Sequence, residues 1–349
     1  MICLIAGALS GEGYDVHLIS LDHPNAVSFY EMDAKITWHR LGSRKDAVGK
    51  AQRIARMAAI LRRFDVGVLI GFVISGDKTV YAASRIAGVK LVAAERNGPS
   101  MYRLRFGPVA RWQCFVLLHL CDSIVVQFPE YIRGYPRSLR ERMVCIPNPV
   151  ASDVRHAAPE TPRSNGRFQL LAVSRLDRIQ KGLDVLIGAF AQIADEHPRW
   201  DLKIVGTGPH ETDLRKLISD LDLSDRIIIE VPKEQVQDLY AKAHLFVIPS
   251  RWEGFPNALA EALSAGLPAA GFAGSEGVAN LISHGRTGWL VDSSNDVAAM
   301  AAILAEAMLD GAERGRRGAL AVEEMKNYAP EAQIELWADL VQRLGNEKG

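Results

Sequence analysis

Apolar positions along the chain follow two alternating patterns. Short apolar runs bounded by Gly, Pro, Asn or Asp read as buried strands. Longer stretches in which apolar residues recur every three or four positions read as amphipathic helices. Strands are predicted over 15–21, 36–41, 66–70, 89–94, 123–127 and 144–146, and helices over 47–64, 78–87 and 111–120. A Gly-containing turn at Gly71 and Gly76 follows the third strand, and Glu95-Arg96-Asn97-Gly98-Pro99 forms a loop at the carboxyl end of the fourth. Residues 150–166, rich in Ala, Pro, Ser and Arg, suit a linker. A second series follows. Its strands are 169–173, 202–205, 227–231, 245–249 and 268–272. Its helices are 182–195, 211–221, 236–243, 256–265, 277–284, 296–309 and 330–344.

Alternating strands and helices in both halves predict two doubly wound parallel sheets of the α/β class, with the expected site in a cleft between them. The domains are predicted over 1–149, binding an acceptor, and 150–329, binding a nucleotide donor. The terminal helix, about 330–349, is expected to pack back on the first. The amino terminus departs from the pattern. Residues 2–9 read as an apolar helix stopped at Gly11-Glu12-Gly13, whereas an α/β domain ordinarily opens with a strand and a Gly-rich turn. Either the fold lacks that strand or it lies upstream.

Composition changes this picture little: 349 residues, 48% apolar and 23% charged, exclude a disordered or fibrous chain. Net charge is zero, yet residues 1–150 carry 20 Lys+Arg against 12 Asp+Glu, an excess of eight that the remainder reverses. Opposite charges suggest domains with different partners. Cys3, Cys114, Cys121 and Cys145 form no metal-ligand spacing and read as free thiols in a reducing cytosol. No apolar run reaches the ~18 residues that span a bilayer, and residues 1–9 lack a basic leader. The expectation is a cytoplasmic protein without a metal site.

Candidate chemistry concentrates at predicted strand ends. In Ser250-Arg251-Trp252-Glu253-Gly254-Phe255-Pro256-Asn257-Ala258-Leu259-Ala260-Glu261, a strand and a Gly turn lead into a helix starting near Pro256. Backbone N–H groups at such a start attract phosphate. Glu253 and Glu261 flank that cradle and could accept hydrogen bonds from sugar hydroxyls; equally, they read as a cap and a solvated helix face. Ser174-Arg175-Leu176-Asp177-Arg178-Ile179-Gln180-Lys181-Gly182 follows another strand. Arg175 offers two parallel hydrogen bonds to phosphate and Lys181 a point charge. An Asp177–Arg178 surface pair is the alternative. Gly206 and Gly208 permit close approach of a base or phosphate, or serve an ordinary turn.

These motifs together resemble the carboxyl-terminal half of the retaining glycosyltransferases of family four, which have the GT-B fold. The resemblance is carried by Ser174, Arg175, Lys181 and Gly182, by Val205–Pro209, by Glu253 and Glu261 eight apart, by Ala265-Gly266-Leu267-Pro268 and by Gly285-Arg286-Thr287-Gly288-Trp289-Leu290-Val291. The first half is similar to bacterial members building cell-surface polysaccharides and lipid-linked oligosaccharides, through Glu95-Arg96-Asn97 and Ile146-Pro147-Asn148-Pro149.

The resemblance implies transfer of a hexose or N-acetylhexosamine from a UDP-sugar to a hydroxyl of a glycan or polyprenyl-pyrophosphate-linked glycan. It implies retained anomeric configuration, and no metal or other cofactor. Arg175 and Lys181 would hold the diphosphate and Glu253 the sugar. Glu261 would take the ribose, with Gly254, Phe255, Pro256, Asn257, Gly206 and Gly208 around the donor. Glu95, Arg96, Asn97, Arg103 and Arg105 would lie on the acceptor side. Two departures from the family are the absent first strand and loop, and a missing Gly after 225–231, at Ile229-Glu230-Val231-Pro232. No acceptor base is nominated; His119 reads as a helix residue near the core. A truncated, non-catalytic nucleotide-sugar binder and a nucleotide-sugar epimerase remain open.

Arg96, Arg103, Arg105 and Arg111 lie in an acid-free stretch interleaved with Met101, Tyr102, Leu104, Phe106 and Trp112. This suits an anionic membrane surface or a pyrophosphate, or equally a solvated helix. Peripheral attachment at the inner face of the plasma membrane is expected. Without a binding motif, nucleic acid is disfavoured.

Overall fold

Twelve parallel strands, β1 to β12, organise the computed structural model, which describes residues 1–28, 32–42, 48–72, 77–151, 154–231, 235–292 and 295–346. The chain divides into two units. One is Met1–Pro149 with Pro330–Gly349; the other is Val150–Ala329.

In the first unit, β1 (His17–Ser20) pairs with β2 (Thr37–Arg40). Separately, β3 (Val68–Phe72), β4 (Lys90–Ala94), β5 (Ser123–Val126) and β6 (Met143–Cys145) form a sheet in that order. Strand β3 runs through Gly71 and ends later than predicted, so Gly71 is not a turn; Gly76 lies outside the described residues. Apolar clusters cover both faces. Ile5, Leu9, Trp337 and Leu340 pack on one side of Val92 and Val125, while Met57, Leu61 and Ala83 gather with Leu69 on the other. Helices Ile2–Gly11 and Pro330–Asn346 supply the first set, and helices Lys50–Arg63 and Lys78–Ala87 the second. Asp77 caps the last of these by accepting from the Thr79 N–H, and Gly88 ends it at φ +70.

Arg111–Leu120 begins earlier than predicted, as helix Pro108–Leu118, and a further helix, Ser100–Arg105, precedes it. Periodicity missed the latter because it is only six residues long.

The second unit is a six-stranded sheet in the order β12-β11-β10-β7-β8-β9. Its strands are β7 (Phe168–Val173), β8 (Trp200–Val205), β9 (Ile227–Glu230), β10 (Leu245–Ile248), β11 (Ala269–Phe272) and β12 (Gly288–Val291). Strand order reverses between β7 and β10, which are directly paired. In such sheets the carboxyl ends at the reversal form the ligand crevice. The β12 strand was not predicted, because its glycine and polar flank mask the apolar run. The predicted helix 277–284 is shorter, at Glu276–Ala279.

Within the predicted linker, the described residues 154–166 are laid down on this unit and are not free. The Ala157 N–H donates to the Ala265 carbonyl at 2.7 Å, and buried Arg314 donates to the Pro159 carbonyl at 2.9 Å. Pro232, part of the segment where a glycine is missing, falls outside the described residues.

Candidate active site

The two sequence constellations meet at the strand reversal of the second unit. The β7 end delivers Ser174 to Lys181, and the neighbouring β10 end delivers Ser250 to Glu261. The predicted loop 174–181 contains a one-turn helix, Arg178–Lys181. Asp177 caps it by accepting from the N–H groups of Ile179 at 3.0 Å and Gln180 at 3.2 Å. Gly182 follows at φ +60, where a side chain would strike the Pro249 carbonyl oxygen. Only glycine lets the two loops approach this closely.

Lys181 Nζ reaches Glu253 Oε1 at 2.5 Å, and both side chains are largely buried. Arg251 ties the same loops together. Its N–H donates to the Gln180 carbonyl at 2.8 Å, and its guanidinium donates to the Arg178 and Ile179 carbonyls. Gln180 returns a bond to the Trp252 carbonyl at 3.2 Å. Sequence reasoning passed over Arg251 and Gln180; their place inside both quoted motifs was the available signal.

Arg175 is exposed and pairs with Asp177 at 2.7 Å. The suggested Asp177–Arg178 pair does not form, because Arg178 turns to Asp184 at 3.4 Å. Burial raises the Asp177 carboxyl, but the Gln180 N–H and the Arg175 charge outweigh it and hold the acid below its ordinary value. Arg175 therefore keeps an ionised partner and a solvent-facing guanidinium.

Helix Asn257–Ser264 begins one residue later than expected, with Pro256 at its cap. Phe255 is buried edge-on against Tyr328, at 5.5 Å between ring centroids. Its side chain is thus a packing element, whereas the Asn257 side chain is exposed at the helix start. Glu261 accepts from Tyr240 Oη at 2.9 Å. Burial raises the Glu261 carboxyl and the Tyr240 hydroxyl pulls it partly back. No motif linked Tyr240 to Glu261, since they stand 21 residues apart.

Gly206 and Gly208 lie where two loops meet backbone to backbone. A side chain at Gly206 would collide with the Ser174 carbonyl, and the Leu176 N–H donates to the Thr207 carbonyl at 2.9 Å. The glycines serve close backbone packing between two loops.

The residues that the resemblance assigns to the acceptor side lie in the first unit. Glu95 is buried at the end of β4 and accepts from Tyr102 and from Tyr135, the latter at 3.1 Å. Burial raises its carboxyl, opposed by those hydroxyls. It therefore anchors helix Ser100–Arg105 and faces no solvent. Arg96 bonds to the Asn148 side chain, stands over the Phe72 ring at 5.6 Å and is lowered to about 10 by burial. Asn97 is half-buried beside it. Arg103 and Arg105 are exposed together with Leu104 and Trp112, whereas Met101 and Tyr102 are buried, so the predicted interleaving is kept only in part. His119 caps helix Pro108–Leu118, half-buried, and bonds Ser138 at 2.9 Å. Among the described residues no cluster of three His, Cys, Asp or Glu has metal-binding geometry, and no helix is long and apolar enough to cross a membrane.

With this geometry established, likeness to known proteins is informative. The family described as "Glycosyl transferases group 1" matches residues 134–327. The chain is 33% identical over 227 residues to an exopolysaccharide phosphotransferase of Streptomyces coelicolor, covering 64% of this chain and only 23% of that protein. It is 27% identical to an amylovoran biosynthesis glycosyltransferase of Erwinia amylovora, over 84% of this chain and 83% of that one. The Anabaena protein HepE, solved with UDP and glucose, is structurally similar with a TM-score of 0.78 at 17% identity, over 98% of this chain and 95% of that one. This likeness shows the GT-B fold.

Proposed function

The chain belongs to the group 1 glycosyl transferases, and from that premise we propose that it moves a hexose or N-acetylhexosamine from UDP to a hydroxyl of a glycan or polyprenyl-pyrophosphate-linked glycan. The anomeric configuration is retained and no metal is required.

The observation that carries this reading is the Lys181–Glu253 pair at the strand reversal, with Glu261 on the helix that follows. Departure of UDP builds negative charge on the β-phosphate. Lys181 and the exposed guanidinium of Arg175 stabilise it as it grows, which is the condition for lowering the barrier. Glu253, released from Lys181, accepts from hydroxyls of the transferred sugar, and Glu261 accepts from the ribose. The leaving phosphate takes the acceptor's proton, so no protein base is assigned. Uridine is preferred because HepE was solved with UDP, and a surface glycan because of the amylovoran relative.

The protein works at the inner face of an anionic membrane. Leu104, Val109, Trp112 and Val116 are 54%, 70%, 64% and 44% exposed beside Arg103 and Arg105. Apolar and cationic side chains so arranged suit insertion at a negatively charged interface.

The test is UDP release from a panel of UDP-sugars, with lipid extract as acceptor, in the presence and absence of chelator. Acceptor-dependent UDP release that chelator leaves intact, with a product of unchanged anomeric configuration by NMR, is expected. Turnover of the sugar nucleotide without acceptor would show an epimerase instead, and binding without any turnover a non-catalytic binder.

A further inference from the structure

Helix Arg178–Lys181 is a single turn, too short to hold its own shape in water. Asp177 fastens its start by accepting from the Ile179 and Gln180 N–H groups. Carbonyls of a last turn have no partner within their helix, and here they are met from outside. Arg251 Nη1 donates to the Arg178 carbonyl and, at 3.1 Å, to the Ile179 carbonyl. The Arg251 backbone N–H takes the next one, that of Gln180, at 2.8 Å. One residue thus holds the three successive carbonyls that precede Lys181. It stands two places before Glu253, the partner of Lys181 across the site.

The rest of the guanidinium is also engaged. Nη2 lies 3.4 Å from Asp184, in the first turn of helix Leu183–Ile193, and Nε donates to the Asn295 side chain past the end of β12. Only 22% of the side chain is exposed. Each of its three nitrogens is thus bound within the protein, and Asp184 matches its charge.

We infer that Arg251 is a positioning residue for sugar transfer. It fixes the Lys181 ammonium relative to Glu253, where charge grows on the leaving phosphate, and does not itself touch the sugar nucleotide. This role rests on the activity proposed above.

Lysine carries a point charge on a flexible four-carbon stem. Such a charge lowers a barrier only when it is already aimed at the developing charge, and a displacement of about 1 Å costs up to about a hundredfold in rate. Lys181 is therefore only as well placed as the turn from which it springs. Asp177, from the same loop, shapes that turn but does not set its distance from Glu253. Arg251, from the loop that carries Glu253, does. A guanidinium suits the task because its nitrogens reach several acceptors in fixed directions at once, which an ammonium cannot. Loss of Arg251 strands no buried charge. Asp184 keeps Arg178 at 3.4 Å, and the two loops keep the bond from Gln180 to the Trp252 carbonyl at 3.2 Å. Variants at this position should therefore fold.

The experiment compares Arg251→Lys and Arg251→Ala with wild type in two measurements. The first is steady-state kinetics with the UDP-sugar that wild type uses. In both variants kcat should fall at least about tenfold with KM for the UDP-sugar within about threefold, because a misaimed Lys181 still meets the diphosphate but not the charge of the transition state. Millimolar guanidinium should restore part of the rate in Arg251→Ala. The second needs no turnover. Labelling of Lys181 by acetic anhydride in the free protein, read by peptide mass spectrometry, should quicken at least about threefold in both variants as the ammonium leaves Glu253.

Unchanged labelling of Lys181, or an unchanged kcat, overturns the inference. So does a rise in KM alone, which would make Arg251 a contact to the nucleotide. A loss of rate no larger than the unfolded fraction in thermal melts would make its role structural only and overturns it as well. If wild type releases no UDP from any sugar nucleotide, the proposed activity fails, and labelling then decides whether Arg251 places Lys181.

Discussion

Lys181 Nζ lies 2.5 Å from Glu253 Oε1, a buried ion pair whose members come from loops following two adjacent parallel strands. Both groups are proposed to touch the donor, so their mutual bond occupies the positions that diphosphate and sugar would claim. Lys181→Met should weaken donor affinity by at least about tenfold, the value of one lost charge-assisted hydrogen bond. It should also destabilise the fold by about 3 kcal/mol, because Glu253 is left buried and unpaired. The double variant Lys181→Met/Glu253→Gln separates the two effects. Thermal unfolding should recover most of the stability, while calorimetric titration with the UDP-sugar should show affinity still lost. Recovery of both would make the pair purely structural.

Tyr240 and Glu261 support a second prediction. Burial raises the Glu261 carboxyl, and the bond from Tyr240 Oη lowers it. A raised acid favours its protonated form, so the carboxylate is lost as pH falls at a higher pH than for an ordinary glutamate. Donor affinity should fall on that limb, if ribose hydroxyls donate to the ionised group. Tyr240→Phe removes the opposing bond and should move the limb to higher pH, with little change in affinity well above it. Glu261→Gln should flatten it. Titrations of donor across a pH series read this directly; a limb unmoved in Tyr240→Phe would detach Tyr240 from donor binding.

The parts of the site legible in the sequence were those whose physics is local. Lys181, Gly182, Glu253 and Glu261 sit in strand–turn–helix segments, and such segments end at the ligand edge of a parallel sheet whatever else the chain does. Glu95 occupies an equivalent strand end, yet it is buried beneath Tyr102 and Tyr135. Its environment depends on residues up to 40 positions away, beyond the reach of a local pattern. The packing of the glycines at 206 and 208 was hidden for a related reason: a missing Cβ admits a neighbouring loop as readily as a ligand. In the fold, strand and helix types were legible from periodicity, whereas the two separate sheets of the first unit were not, because pairing is a long-range property.

The exposed stripe of helix Pro108–Leu118 makes membrane attachment measurable. Each arginine near an anionic surface contributes about 1 kcal/mol, so Arg103→Gln/Arg105→Gln should weaken binding to phosphatidylserine-containing vesicles by about thirtyfold. Trp112→Ala should weaken it further by loss of apolar burial, since that side chain is 64% exposed in the protein. Wild-type binding should decline with salt, as screening of surface charge requires. Co-sedimentation with charged and zwitterionic vesicles is the measurement. Equal binding to both vesicle types, or indifference to all three substitutions, would remove this surface from the membrane.

His244 supports a prediction about the acid stability of the second unit. Its Nδ1 accepts from the Gln169 N–H at 2.8 Å and its Nε2–H faces the Thr161 carbonyl at 2.9 Å, so the neutral ring satisfies both contacts and the cation cannot. Burial lowers it from its ordinary 6.5 to about 4. Between these values the unfolded chain binds a proton that the folded chain refuses. Stability is therefore complete above pH 6.5 and lost as pH falls toward 4, by about 3 kcal/mol in all. His244→Gln retains an acceptor and a donor without titrating. It should be less stable at neutral pH, where its geometry is poorer, but lose less on acidification, so its denaturation midpoints should converge on wild type as pH approaches 4. Parallel pH profiles for the two proteins would mean that another group governs the acid transition.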